Sequence, residues 1–398
     1  MTEIIIQKGK SQPLWYGNPW VFPKSIDKIN GSPEPGDVVK VIDGRNGNFI
    51  GYGFYNPHSF FRVRILSRDV SEPVNTVFFR KYIRFALSIR KGLYRENFHT
   101  AFRLINSEGD LLPGFTADLY GHHIILKWTS LGYYNYTKEI VNILIDEVKN
   151  MLGVDVNFVM NKLTPEEMKE EGISNPPIIL FGAPEQEETS IYQDGFIFSF
   201  YPLEMQKTGY YLDQRWNRLF LRDFLDNRKG LKILDGYCYT GAFSHYLYEP
   251  DFHLDAVDSS NPALKTAENN FKKNGITNVN LVEADTVRFL KQNFGYDLII
   301  LDPPKILRKK EHKEDALKKY INLNFTAALS VKPGGFLATF SCSGNLFLHE
   351  FENALLEALR QTERSFKVLT KTVNAPDHPF NPAVPETGYL KFIFAQIL

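Results

Sequence analysis

Hydrophobic and polar positions change their period three times along the chain. Up to residue 72 short apolar runs alternate at period two, as in Asp37-Val-Val-Lys-Val-Ile-Asp43, and Phe61-Arg-Val-Arg-Ile-Leu66 reads as a further strand. Pro33, Pro35, Gly36, Gly44, Gly47, Gly51 and Gly53 punctuate them, which predicts short strands joined by turns and hence a small β-barrel over residues 1–72. Over residues 80–95 the period becomes helical, with Tyr82, Phe85, Ile89 and Leu93 forming an apolar stripe. The rest of that stretch carries Arg80, Lys81, Arg84, Arg90, Lys91 and Arg95 and no acidic residue. A solvated charged face and a phosphate-contacting surface both fit it.

Residues 73–200 predict a central α+β domain that includes this helix. Strands are expected over 102–106, 123–128 and 156–160, and a helix over 136–152; the acidic stretches 166–171 and 185–188 read as solvated loops. From Gly230 strand and helix alternate regularly. Strands are expected at 232–235, 254–258, 279–283, 297–301 and 335–340, with helices at 262–274 and 313–328 among the connections. Two last strands follow at 366–373 and 389–397. Alternating elements with near-continuous apolar strands predict a parallel, doubly wound, Rossmann-like sheet over residues 201–398. The expected class is thus a β-barrel, an α+β domain and an α/β domain, with ligand chemistry at the carboxyl ends of the last sheet's strands.

Composition narrows the function classes. The 398 residues exceed one ordinary domain, and 43% hydrophobic with 23% charged residues excludes a disordered or collagen-like chain. Lys+Arg and Asp+Glu tie at 46 each, which argues against a tail-driven polyanion binder but permits a local basic patch. The two cysteines, Cys238 and Cys342, are too few for a disulfide scaffold or a multi-cysteine zinc module. His245, His253 and His378 show no metal-ligand spacing, so no metal site is expected. The N-terminus lacks the apolar core of a signal peptide and no run approaches a membrane span, which predicts a cytoplasmic protein without membrane contact.

Each expected strand end in the last domain carries a polar or reactive residue. The first runs into Asp235-Gly-Tyr-Cys-Tyr-Thr-Gly241, the second ends at Asp258, the third at Glu283-Ala-Asp285, the fourth at Asp302-Pro-Pro-Lys305 and the fifth at Ser341-Cys-Ser-Gly344. A nicotinamide site wants a glycine triplet to let the backbone approach a pyrophosphate, and bulky residues stand where the second glycine belongs. S-adenosylmethionine, which has no phosphate, needs no such triplet; Asp258 can accept its ribose hydroxyls and Asp285 its adenine amine. Two prolines in series hold a stiff extended loop of the kind that grips a base. A lone cysteine is ordinarily a small buried hydrophobe. Cys342, at a strand end beside the Pro-Pro loop, reads instead as a nucleophile, while Cys238 reads as packing.

These residues resemble the bacterial large-subunit ribosomal RNA cytosine-C5 methyltransferases that carry an N-terminal PUA domain. The resemblance spans essentially the whole chain, through Gly17-Asn-Pro-Trp-Val-Phe22, Phe102-Arg-Leu-Ile-Asn-Ser-Glu-Gly-Asp-Leu-Leu-Pro-Gly114, Lys207-Thr-Gly-Tyr-Tyr-Leu-Asp-Gln-Arg215, Asp302-Pro-Pro-Lys305, Ser341-Cys-Ser-Gly344 and Pro385-Glu-Thr-Gly-Tyr-Leu-Lys391. It implies a PUA-like barrel and a class I methyltransferase domain using S-adenosylmethionine. Expected cofactor contacts are Thr208, Gln214, Asp235, Tyr237, Gly241, Asp258, Ser259, Asp285, Asp302 and Pro303. The expected catalytic residues are Cys342 and Asp302. The barrel and Arg80, Lys81, Arg84, Arg90, Lys91 and Arg95 are expected to grip ribosomal RNA or a ribosomal particle, by a monomer or a homodimer. Two alternatives stay open: methylation of another base without a thiol adduct, and a non-catalytic ribosome-assembly protein that binds RNA.

Overall fold

Val38–Asp43 alternates partly buried and buried residues, as its period-two pattern predicts, and pairs antiparallel with Phe49–Tyr55 and parallel with Glu3–Ile6. These strands belong to a six-stranded sheet in the order Trp20–Val21, Val63–Ser67, Phe49–Tyr55, Val38–Asp43, Glu3–Ile6, Ile26–Asn30. Gly53 lets two strands close up, because a Cβ there would meet the Arg64 carbonyl oxygen at 2.4 Å. The computed structural model describes residues 1–93, 100–183, 188–201 and 210–398.

A second sheet follows in the order Ile179–Gly182, Phe158–Asn161, His123–Trp128, Phe115–Tyr120, Ala101–Asn106. The helices Thr76–Leu93 and Thr137–Leu152 share its core, with Phe78, Phe79, Ile83 and Leu87 buried among Leu104, Leu119, Ile140 and Leu144. The acidic stretch expected as a solvated loop is instead a helix, Pro165–Glu171, started by a Thr164 capping box with Glu167. Glu171 is buried and receives Arg64 through both terminal guanidinium nitrogens at 2.5 and 2.9 Å, and Glu167 pairs with Lys127 at 2.7 Å. Ion pairing, not solvation, accounts for these two carboxylates.

The chain divides into two compact units. The first holds Met1–Asp194 and, late in the sequence, Pro376–Val384; the second holds Gly195–Ser199, Tyr210–Ala375 and Pro385–Leu398. Inside the first, Arg90 is 0% exposed. It clasps Asp110 bidentately at 2.7 and 2.8 Å and donates to the backbone carbonyls of Arg103 at 2.9 Å and Asp377 at 2.6 Å.

The second unit carries a seven-stranded sheet in the order Val279–Glu283, His253–Asp258, Lys232–Gly236, Tyr296–Leu301, Val331–Ser341, Lys391–Ile397, Phe366–Thr372. The first five pair in parallel, and Lys391–Ile397 runs antiparallel between Val331–Ser341 and Phe366–Thr372. Arg215–Leu225 and Ala242–Tyr246 pack on one face, and Lys313–Ser330 and Leu348–Gln361 on the other. Strand order reverses between Lys232–Gly236 and Tyr296–Leu301, and such a switch point opens a crevice at the carboxyl edge. Among the described residues no helix is long and apolar enough to cross a membrane.

Candidate active site

The loop leaving Lys232–Gly236 holds Tyr237 and Tyr239 at φ of 65° and 51°. Left-handed backbone costs a non-glycine residue about 1–2 kcal/mol. The loop is held there by its own hydrogen bonds: Cys238 N donates to Val257 O at 3.1 Å, Tyr239 N to Asp258 Oδ2 at 2.9 Å and Gly241 N to Cys238 O at 2.8 Å. Gly241 itself has φ 79°, and a Cβ there would stand 2.8 Å from the Phe271 ring. Three backbone donors that a pyrophosphate would need are thus engaged within the loop and with its neighbouring strand.

Four carboxylates reach this edge in different states. Asp258 accepts from Tyr239 N and, at 2.8 Å, from Ser260 N. Asp285 is exposed and caps the helix Thr286–Leu290 by accepting from Arg288 N at 2.9 Å. Asp235 is 1% exposed; its Oδ2 accepts from Ser244 N and Oγ, while its Oδ1 is buried without a hydrogen-bond partner among the described residues. Burial pushes the Asp235 carboxyl up to about 6, against the Ser244 hydrogen bonds that lower it. Asp302 begins the Pro-Pro loop, its N–H donating to Gly236 O at 3.4 Å.

Two tyrosines tie these groups together. The Tyr237 phenol is pushed up to about 12 by burial, with the charges of Asp285 and Asp258 adding to it. The Tyr211 phenol is raised by burial and then by Asp302, Asp213, Cys342 and Asp258, and its ring meets Tyr239 edge-on at 5.2 Å. Tyr211 is not among the residues expected at the site, although it lies inside the Lys207–Arg215 motif; the paired tyrosines there are the available signal.

Cys342 follows Val331–Ser341, the strand parallel to and beside Tyr296–Leu301. Its Sγ lies 3.9 Å from the carbonyl oxygen of Pro303, so the thiol rests against the Pro-Pro loop. Ser341 and Ser343 brace it: Ser341 Oγ accepts from Tyr320 OH at 2.9 Å, and Ser343 Oγ accepts from Leu307 N at 3.2 Å. Cys342 is partly exposed, whereas Cys238 is buried and its thiol is held well above the ordinary range by burial and by Asp235 and Asp258. A buried thiol raised in this way stays protonated and packs.

Other expected residues fall elsewhere. Gln214 is 2% exposed, and its side-chain oxygen accepts from Asn217 at 2.7 Å. Ser260, not Ser259, donates its N–H to Asp258 and caps the next helix. Thr208 and Arg95 lie outside the described residues. On the basic helix, Arg90 is a correction: its guanidinium is buried in the first unit and presents nothing to RNA. Arg80 pairs with Glu147 and Asp146, Lys81 with Glu72, and Arg84 with Glu147 at 3.7 Å, so much of the cationic face is already matched by carboxylates. Lys91 is exposed and has no ion pair among the described residues.

A family model described as a PUA-like domain matches residues 4–68, and one described as a methyltransferase small domain matches residues 215–369. The chain is 32% identical over 402 residues to the ribosomal RNA large subunit methyltransferase I of Shewanella frigidimarina, covering 99% of each. It is 32% identical over 403 residues to the protein of that name in Pseudoalteromonas translucida, covering 100% of this chain and 99% of the relative. The chain belongs to the ribosomal RNA large subunit methyltransferase I family. The fold agrees throughout: a solved structure from Streptococcus mutans superposes with TM-score 0.82 at 20% identity, covering 100% of both chains. The protein is accordingly an S-adenosylmethionine-dependent methyltransferase. Its site residues fit that donor. Carboxylates at successive strand ends suit a cationic ligand bearing hydroxyls and amines, and the buried Asp235 Oδ1 has room in its hydrogen bonding for one more donor.

Proposed function

We propose that the protein methylates carbon 5 of a cytosine in large-subunit ribosomal RNA, in the cytoplasm, through a covalent bond to Cys342. The observation that carries this is the Cys342 thiol 3.9 Å from the Pro303 carbonyl, on the loop best placed to grip a base. In this reading residues 1–72, the partly buried Arg80 and the exposed Lys81, Arg84 and Lys91 hold RNA, residues 73–200 carry that helix, and residues 201–398 perform the transfer.

Bound S-adenosylmethionine supplies an electrophilic methyl group on a sulfonium. Asp258 and Asp285 would hold its ribose and adenine, Tyr237 and Gly241 shape the loop around it, and Asp235 orders that loop through Ser244. Cytosine C5 is a poor nucleophile on its own. The Cys342 thiolate adds to C6, which breaks the 5,6 double bond and moves its electron pair to C5 for attack on the methyl group, whose bond to sulfur would break to leave a neutral thioether. The Asp302 carboxylate and the Pro303 carbonyl orient the ring by accepting from its exocyclic amine. Loss of the C5 proton to a base restores the double bond and expels the thiolate. The target base leaves its stack to reach such a pocket.

The test is nucleoside mass spectrometry of large-subunit ribosomal RNA from a deletion strain and from the strain complemented with this chain. The expected result is one 5-methylcytidine that disappears on deletion and returns on complementation. Disappearance of a methylated purine instead would overturn the cytosine reading.

A further inference from the structure

Lys391 opens the strand Lys391–Ile397, and its backbone lies opposite Ser341 in the pairing with Val331–Ser341. The residue is 1% exposed. Its Nζ donates to Ser343 O and to Tyr389 O, each at 2.5 Å. A buried ammonium ordinarily faces a carboxylate at close range, since an unpaired one costs several kcal/mol. Among the described residues Lys391 forms no ion pair; it faces two neutral carbonyls, one of which belongs to the residue directly after Cys342.

The charges around the thiol give that ammonium a purpose. Burial lowers the Lys391 amine to about 8; Cys342 then raises it, Lys305 lowers it and Glu350 raises it. From other elements, Tyr211 and Tyr320 each feel both Cys342 and Asp302. The Asp302 carboxylate opposes ionisation of a neighbouring thiol, and Lys305 is exposed to solvent. A positive charge shielded from water is the group that offsets Asp302.

We propose that Lys391 is a positioning residue that holds the Ser341-Cys342-Ser343 turn and sets a buried positive charge beside the thiolate used in methyl transfer. This rests on the Cys342 reading and adds a requirement to it.

The experiment measures the rate at which iodoacetamide alkylates Cys342 from pH 6 to 10, read by peptide mass spectrometry so that Cys238 is scored separately. The full-length wild type is compared with Lys391→Met and Lys391→Arg. The wild-type midpoint is expected below the free-thiol value of about 8.5. Lys391→Met should move it up by about one unit or more and slow methyl transfer at pH 7 at least tenfold, with partial recovery at pH 9 (on the order expected for removing one adjacent charge). Lys391→Arg should keep the low midpoint. A wild-type midpoint at or above 8.5 overturns the proposal without any variant, which covers the case in which Lys391→Met does not fold. Equal midpoints in wild type and folded Lys391→Met also overturn it, leaving a packing role. The underlying reading fails separately: it falls if Cys342→Ser transfers methyl groups at the wild-type rate, whatever Lys391 does.

Discussion

The Sγ of Cys342 and the carbonyl oxygen of Pro303 lie 3.9 Å apart, across two neighbouring parallel strands of one sheet. A base held by the Asp302-Pro-Pro-Lys305 loop therefore arrives beside the thiol. Cys342→Ser should keep the fold and cofactor affinity but reduce methyl transfer by at least three orders of magnitude (~10³), because a hydroxyl is far less ionised than a thiol. RNA with 5-fluorocytidine at the target should give a stable adduct with wild type and with Cys238→Ser, and none with Cys342→Ser, on denaturing gels.

Asp258 serves the loop and the ligand together. Asp258→Ala removes the acceptor for Tyr239 N and Ser260 N as well as the charged partner for the ribose. S-adenosylmethionine binding should weaken by about 1.5–3 kcal/mol in calorimetric titration. Asp285→Ala, which removes a helix cap, should cost about 1 kcal/mol of stability in addition to its effect on binding.

The Asp235 carboxyl gives the second unit a pH signature. Its folded value of about 6 lies above the ordinary carboxylate value of 3.8, so the folded state binds the proton first. Its contribution is fully present below about pH 4 and is lost as pH rises through about 6. Asp235→Asn should flatten that decline in urea titrations between pH 4 and 6. At pH 7 it should raise the stability of the ligand-free protein by roughly 2–3 kcal/mol at most, while S-adenosylmethionine affinity falls.

RNA binding separates the basic helix into two classes. Lys91→Gln with Arg84→Gln should flatten the salt dependence of RNA binding, by about 0.7–0.9 log unit of slope for each phosphate that the variant no longer neutralises. Arg90→Met should leave that slope unchanged and destabilise the first unit by about 3–5 kcal/mol, since it strands Asp110. Thermal melts and filter binding at several salt concentrations check both.

The last sheet is legible in the sequence because four of its five parallel strands are largely buried and write apolar runs, and the strand ends carry the carboxylates in chain order. Thr76–Leu93 is equally legible as a helix, but its use is not: Arg90 and Lys91 are neighbours with the same charge, and only the position of Asp110 in space sends one inward. Pro165–Glu171 escapes a reading by composition because its acidic residues hide a capping box and because Arg64, which Glu171 receives, is 107 residues away. Lys391 and Tyr211 sit inside recognisable motifs without an evident role, since burial against a carbonyl leaves no pattern in sequence.

The Arg90 clasp also governs when the first unit can be finished. Its guanidinium needs the Asp377 carbonyl, 287 residues downstream. Nearby, Asn106 Nδ2 donates to Pro379 O at 2.7 Å, and Arg103 N donates to the Asp377 carboxylate at 3.1 Å. During synthesis every strand of the first two sheets is complete well before these acceptors exist. The early unit therefore carries buried donors with no acceptor until nearly the whole chain has been made. A chain ending at residue 375 would retain every strand of those two sheets yet remain loosened around Arg90, so removal of the C-terminal residues would reach the N-terminal unit as well as the sheet that loses Lys391–Ile397.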